Sequence, residues 1–193
     1  MRQVLDYVSP KGPLPDVAGT KSGDLLAMGI AACLWDDLSR YDHLHTGDRM
    51  AVNEAMIHYP ERLDHGVSLH ADQMYGLAFK QFFHGAHKGW PVIQTHAHIP
   101  NHAVKYVWPL TRDGGTTGLF AVLVALLMGY DRIILAGSPV DDSPAFYHPA
   151  PCPKDLSYGR QIIRDEWQRA IDGCFGGRVK SLSGWTREQL GEP

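Results

Sequence analysis

RDGGTTGLFAVLVALLMGYDRIILAGSPVDD, from Arg112 to Asp142, is the stretch whose reading decides the fold. Two glycines and two threonines lead into ten successive apolar residues, Leu119 to Met128, which stop at Gly129. An apolar block of that length, rich in Ala and Leu, predicts a helix buried on all sides, with Gly129 as its C-terminal stop. The run from Ile133 to Ala136 is short, β-branched at its start and closed by Gly137, so it predicts a buried strand. The order is therefore loop, helix, strand. Unpaired N–H groups and the hydroxyls of Thr116 and Thr117, with Gly118 beside them, make an anion site at the positive end of such a helix. The plainer reading is that one threonine caps the helix and the glycines serve the turn.

Working outward, Leu25 to Ile30 predicts a first strand with Gly29 near its C-terminal end, and Cys33 to Tyr41 a partly exposed helix. The small residues Gly29, Ala31 and Ala32 at that turn let backbone approach a ligand closely. Met50 to Val52 predicts a strand ending at Asn53, and Gly66 to Leu69 another ending at His70. Residues 71–88 have one apolar stripe at helical spacing, Val92 to Thr95 and Val104 to Val107 read as strands, Arg160 to Phe175 as an amphipathic helix, and Arg178 to Leu182 as a last strand. Short strands alternating with helices predict an α/β protein, a mostly parallel sheet with helices on both faces. Open parallel sheets bind ligands beyond the carboxyl ends of their strands, so Gly29, Asn53, Ser68, His70, Thr116, Thr117, Gly118 and Gly137 are the candidate binding residues. For Asn53 the competing reading is a side chain that stabilises its own turn.

Two stretches fall outside this alternation. Residues 1–23 are rich in Pro and Gly and predict a loop-like arm, with Val4 to Val8 as a candidate edge strand. Residues 138–160 are rich in Pro, Ser and Asp, long enough to predict a lid or binding loop, and contain His148, a side chain suited to proton transfer near neutral pH. Histidines also gather at His96, His98 and His102. If the strand before them continues, His96 and His98 share a face, and with Asp141 or Asp142 they would hold zinc or another divalent ion for hydrolysis. The alternative is a set of loop histidines beside Pro100 and Asn101.

Composition limits the function classes. The chain has 193 residues, 44% hydrophobic, the length of a single α/β domain. A net charge of −3 gives no basic field for nucleic acid. No apolar run is long enough for a membrane span, and MRQVLDYVSPKGPLP has no apolar signal-peptide core, so a cytoplasmic protein is expected. Three scattered cysteines, Cys33, Cys152 and Cys174, argue against a disulfide framework or a cysteine-based zinc site. Such a chain is compatible with a monomer or a homo-oligomer.

The segment GGTTGLFAVLVALLMGYDRIILAG, residues 114–137, resembles the Ser/Thr-Gly, apolar helix, "GY-x-x-I-x-L-x-G" segment of bacterial sialyltransferases and of related Rossmann-like proteins, including pterin diphosphokinase-like ones. The resemblance implies a Rossmann-like fold and a nucleotide or CMP-type nucleotide-sugar as ligand. It implies nucleotide contacts at Thr116 and Thr117, a further one at Asn53 in AVNEA, and a catalytic base at His148. It departs at the first loop, where GIAAC, residues 29–33, stands in place of a GNGPS-like sequence. The terminal VKSLSGWTREQLGEP, residues 179–193, resembles segments of phage-encoded proteins. The leading expectation is a nucleotide-sugar-dependent glycosyltransferase in which His148 takes a proton from the acceptor. No metal is needed there if helix amides carry the charge of the leaving phosphate. A non-catalytic nucleotide-binding protein, a sensor or sponge, is the alternative, and a metal-dependent hydrolase using His96, His98 and Asp141 a second.

Overall fold

A computed structural model describes residues 1–84, 94–147 and 157–193. Seven strands form one parallel sheet: β1 (Asp24–Met28), β2 (Asp48–Val52), β3 (His65–Val67), β4 (Gln94–Ala97), β5 (Tyr106–Val107), β6 (Arg132–Ala136) and β7 (Val179–Ser181), in the order β5-β4-β3-β2-β1-β6-β7. Every neighbouring pair is parallel, so the expected mostly parallel α/β sheet is parallel throughout and consistent with a Rossmann-like fold. Seven α-helices accompany it among the described residues: α1 (Arg2–Val8), α2 (Leu34–Tyr41), α3 (Ala55–His58), α4 (Ala71–His84), α5 (Thr117–Met128), α6 (Ser157–Ala170) and α7 (Gly184–Leu190).

Alternation along the central strands builds two cores. Leu25, Ala27, Met50, Val52, Ile133 and Leu135 pack with α5, Trp167 and Phe175 on one face. Leu26, Met28, Ala51, Ile134 and Ala136 pack with Leu34, Leu38, Met56 and Met74 on the other. Strands buried on both faces need continuous apolar runs, which LLAM and IILA supply. Helix α5 is buried from Leu119 to Met128 and is closed by Gly129 in the left-handed conformation, as its sequence requires.

The N-terminal arm departs from expectation. Arg2–Val8 is a helix, not an edge strand, because Val4 and Val8 lie four apart and turn to the same side. Both are fully buried in the core they share with α5. The residues beyond α1 are tied down rather than loose: Lys11 N donates to Pro109 O at 2.7 Å, Gly19 N to Leu127 O at 2.9 Å and Lys21 N to Met128 O at 2.9 Å. At the other end, past the last strand, the chain forms α7, whose Trp185 and Leu190 pack against the core. Helix α6 ends in a π-wound turn, Ile171–Phe175, before Gly176.

Candidate functional site

The strand order reverses at β1. The chain builds outward from β1 through β2 to β5, then returns through α5 to place β6 on the other side of β1. Loops leaving neighbouring strands in opposite directions open a crevice at their carboxyl ends. Gly29 and Gly137 meet there: Gly29 N donates to Ala136 O at 2.8 Å, and a Cβ on Gly29 would stand 2.3 Å from both Gly137 O and Ser138 Oγ. No side chain fits between these two turns, which fixes glycine at position 29.

Above them lies a cavity of about 350 Å³, within the size range of small-molecule sites. Its floor is Gly29, Ile30, Ala31 and Gly137, one wall is Val52, Asn53, Thr116, Thr117 and Gly118, and the opposite side is Ser138 to Asp141, Arg160, Ile163 and Trp167. Six of the eight candidate binding residues therefore come together. Ser68 and His70 do not. Ser68 Oγ accepts from His70 N at 3.0 Å, closing its own turn, and the His70 ring is exposed at the start of α4.

The two threonines divide the roles that their sequence left open. Thr116 is the N-cap of α5, its hydroxyl accepting from Leu119 N at 3.3 Å. Thr117 is buried, and its Oγ1 accepts from Asn53 Nδ2 at 3.4 Å and Leu69 N at 3.5 Å, tying β2 and β3 to the helix. The backbone amides of Thr117 and Gly118 have no partner among the described residues and lie at the positive helix end. Asn53 is held at φ 48°, a conformation asparagine tolerates better than most residues, and its Oδ1 is buried without a hydrogen-bond partner. Asn53 as a residue lines the cavity, and that oxygen is left without a donor.

The loop after β6 is fastened by side chains and backbone of α6 and α7. Ser138 O accepts from Thr186 Oγ1 at 2.7 Å, Pro139 O from Thr186 N at 3.3 Å and Val140 O from Arg164 Nε at 3.0 Å. The amides of Ser138, Val140 and Asp141 have no partner among the described residues. Val140 stands at φ 50°, a strained setting for a β-branched side chain. Behind the loop, Asp37 of α2 is fully buried and accepts from Gly137 N and Ser183 Oγ, each at 2.8 Å, while Arg40 donates to its other oxygen at 2.6 Å. Asp141 borders the cavity, with its Oδ1 accepting from Ser143 N at 2.8 Å. His148 lies outside the described residues.

Among the described residues the histidines do not gather into a metal-binding set. Strand β4 ends at Ala97, so the alternation that would align His96 with His98 does not continue. His96 is fully buried with both ring nitrogens engaged: Trp108 Nε1–H donates to Nδ1 at 3.1 Å, and Nε2 meets His65 Nδ1 at 3.1 Å. Because tryptophan is a donor only, the neutral His96 carries its proton on Nε2 and gives it to His65. His65 Nε2–H then donates to the Tyr130 hydroxyl at 2.8 Å, and that hydroxyl donates to Asp48, which Lys21 also meets at 2.8 Å. Burial lowers the pKa of His65 to about 4 and that of His96 well below the usual value, which keeps both neutral. The Asp48 carboxyl, pushed up by burial, is held below its ordinary pKa by Lys21 and Tyr130. His98 lies apart, its ring edge-on to Phe120. Among the described residues no three His, Cys, Asp or Glu side chains gather at metal-binding distance, Asp141 included.

Sequence reasoning missed Asp37, Arg160 and His65. Asp37 and Arg40 read as ordinary charges on an amphipathic helix, and nothing local marks the carboxylate that folds inward. His65 sits one residue before the expected strand. Arg160 had a signal, a basic residue at the head of a helix following a long polar loop. No protein-family model matches the chain, and neither curated proteins nor solved structures give a match.

Proposed function

We propose that the chain binds a nucleotide or nucleotide-sugar in the crevice between β1 and β6 and transfers the glycosyl group. The observation that carries the binding is the cavity itself, whose wall includes Asn53, with an Oδ1 that has no partner, and the residues that open α5. A base or ribose donor satisfies Asn53, while the unpartnered amides of Thr117 and Gly118 receive a phosphate oxygen without a metal. The resemblance of the GGTTG segment to nucleotide-sugar enzymes supports the same ligand class. A thermal-shift series with CMP, CDP, UDP, GDP, ADP and NAD tests it. A ligand at about 100 times its Kd adds about 2.7 kcal/mol and raises Tm clearly. Silence from all six, or an equal response in Asn53→Gly, rejects the reading.

One observation favours binding without turnover: no histidine among the described residues lines the cavity, and Asp141 is its one carboxylate there. The two readings separate at His148. Donor consumption by the wild type that disappears in His148→Ala, with affinity unchanged, establishes transfer. A wild type that binds the donor and never consumes it is a sensor or sponge.

A further inference from the structure

The run of buried polar side chains from Trp108 to Asp48 lines no part of the crevice cavity. It holds two histidines, His96 of β4 and His65 of β3, both fully buried. Their contacts set where ring protons can lie. Trp108 Nε1–H donates to His96 Nδ1 at 3.1 Å, and tryptophan can only donate, so that nitrogen carries no proton. His96 Nε2 and His65 Nδ1 meet at 3.1 Å, a contact with room for one proton. His65 Nε2 carries the other, toward the Tyr130 hydroxyl at 2.8 Å, and that hydroxyl donates to Asp48. The four ring nitrogens therefore have places for two protons, one per ring, which is the neutral state of both. A third proton has no place. On His65 Nδ1 it confronts His96 Nε2–H, and on His96 Nδ1 it confronts Trp108 Nε1–H.

We propose that the His65–His96 contact is an acid-released latch: a proton taken up by either ring turns two donors against each other, parts the contact and frees β4 and β5 from β3. The place of the latch in the sheet fits this release. Strand β3 pairs with β4 over three residues from His65 onward, and β4 pairs with β5 over two, His96 with Tyr106 and Ala97 with Val107. Strands that short have few backbone bonds of their own, so side-chain links hold them to the five-residue strands β1 and β2. Trp108 N also donates to Ala97 O at 2.9 Å, so the residue that orders the protons belongs to the same edge. The groups around the rings set the pH of release. Burial draws His65 down to about 4 and Lys21 of the N-terminal arm adds to it, while Asp48 of β2 and Asp64 ahead of β3 oppose. Burial also holds His96 well below the ordinary value, with His65, Lys105 ahead of β5 and Lys21 acting in the same sense. Tyr106 stacks on the His96 ring at 5.3 Å between centroids and carries no charge at these pH values. Rings that part and meet water return toward about 6.5. The open state therefore binds more protons between about 6.5 and 4, and opening is favoured as pH falls through that interval, about tenfold per pH unit for each ring that becomes charged. The latch is independent of what the crevice binds.

The test follows the full chain by NMR from neutral pH down to about pH 4. Long-range proton–nitrogen correlations read the ring tautomers, and at neutral pH both His65 and His96 should carry their proton on Nε2. A proton on Nδ1 of either ring overturns the proposal. Amide hydrogen exchange then compares β4 with β1. Corrected for the intrinsic rate, protection in β4 should fall about tenfold or more per pH unit below about 6.5, while β1 keeps its own. If the two strands lose protection together, the acid transition belongs to the whole fold and there is no latch. If His65 becomes charged with β4 still protected, the rings accommodate the third proton and the proposal fails. His96→Gln removes the conflict, because its amide can turn either N–H or oxygen toward His65. In that variant His65 should titrate about one pH unit higher or more, with β4 protected as it does so; an unchanged titration overturns the proposal. Should His96→Gln fold poorly by circular dichroism, Trp108→Phe replaces it. Without the indole donor, His96 is free to carry its proton on Nδ1 and accept from His65, so the same rise is expected and its absence has the same meaning.

Discussion

Asn53 shows how one residue joins a backbone requirement to a binding role. Its φ of 48° suits asparagine or glycine, and its amide N donates to Val67 O at 3.1 Å, so the turn is held by the backbone while the side chain reaches Thr117 on the cavity wall. Asn53→Gly should therefore change stability by less than about 1 kcal/mol and weaken the nucleotide about tenfold. Asn53→Val should cost about 1–2 kcal/mol in a denaturant titration, because a β-branched residue is strained at that φ. Equal affinity for wild type and the glycine variant would place the ligand elsewhere. His65 makes a different prediction, about pH. Its folded pKa, about 4, lies below the ordinary 6.5, so the unfolded chain takes up the proton first. The stability it contributes is complete above about pH 6.5 and is lost as pH falls from there toward 4, on the order of 3 kcal/mol in all. His65→Gln should flatten that part of the pH profile. What was legible at this scale is telling. Asn53, Thr117 and Gly137 stand at boundaries between apolar runs and turns, which a sequence displays. Asp37 and His65 acquire their roles from groups 100 and 31 positions away, Gly137 and His96, which it does not.

Helix α5 separates capping from binding along one turn. Thr116 satisfies an amide of its own helix, whereas Thr117 joins the helix to Asn53 and to the end of β3. Thr116→Ala should therefore lower stability by about 1 kcal/mol and leave nucleotide affinity within about twofold. Thr117→Val keeps the shape, strips Leu69 N and Asn53 Nδ2 of their acceptor, and should cost about 1–3 kcal/mol together with the ligand response. Thermal shift with and without nucleotide measures both quantities at once. The reverse pattern, affinity lost in Thr116→Ala and kept in Thr117→Val, would exchange the two roles. The elements most legible in the sequence were α5 and β6, whose long apolar runs leave little choice of partner. Helices α1 and α7 were not, because seven-residue helices carry only one or two buried positions each, too few to set a period apart from a strand or a tail.

At the scale of the molecule two parts of the sheet do different work. The carboxyl edge between β1 and β6 carries the crevice, while a polar chain crosses the far half of the sheet, from Trp108 just past β5 through the two histidines and Tyr130 to Asp48, where β2 begins. A chain of neutral, fully engaged rings locks one arrangement of β3, β4 and the turn after α5, and contributes nothing to the crevice. The C-terminus belongs to the crevice. Thr186 is fully buried, and its hydroxyl meets Ser138 O, Ser181 Oγ and Ser183 O, so the last helix is a brace for the loop that lines the crevice. Two substitutions of similar cost should therefore differ in their effect on binding. Tyr130→Phe leaves His65 Nε2–H without an acceptor and should cost about 1–3 kcal/mol of stability with nucleotide affinity unchanged. Thr186→Val leaves Ser138 O without its donor and should cost about as much, and in addition weaken the nucleotide several-fold as the loop loses its brace. Denaturant titration sets the two variants on one stability scale, and calorimetry then compares their affinities. If both lose affinity alike, binding follows overall stability, and the crevice has no brace of its own. If only Thr186→Val loses it, the chain's last ten residues are part of the binding site without touching the ligand.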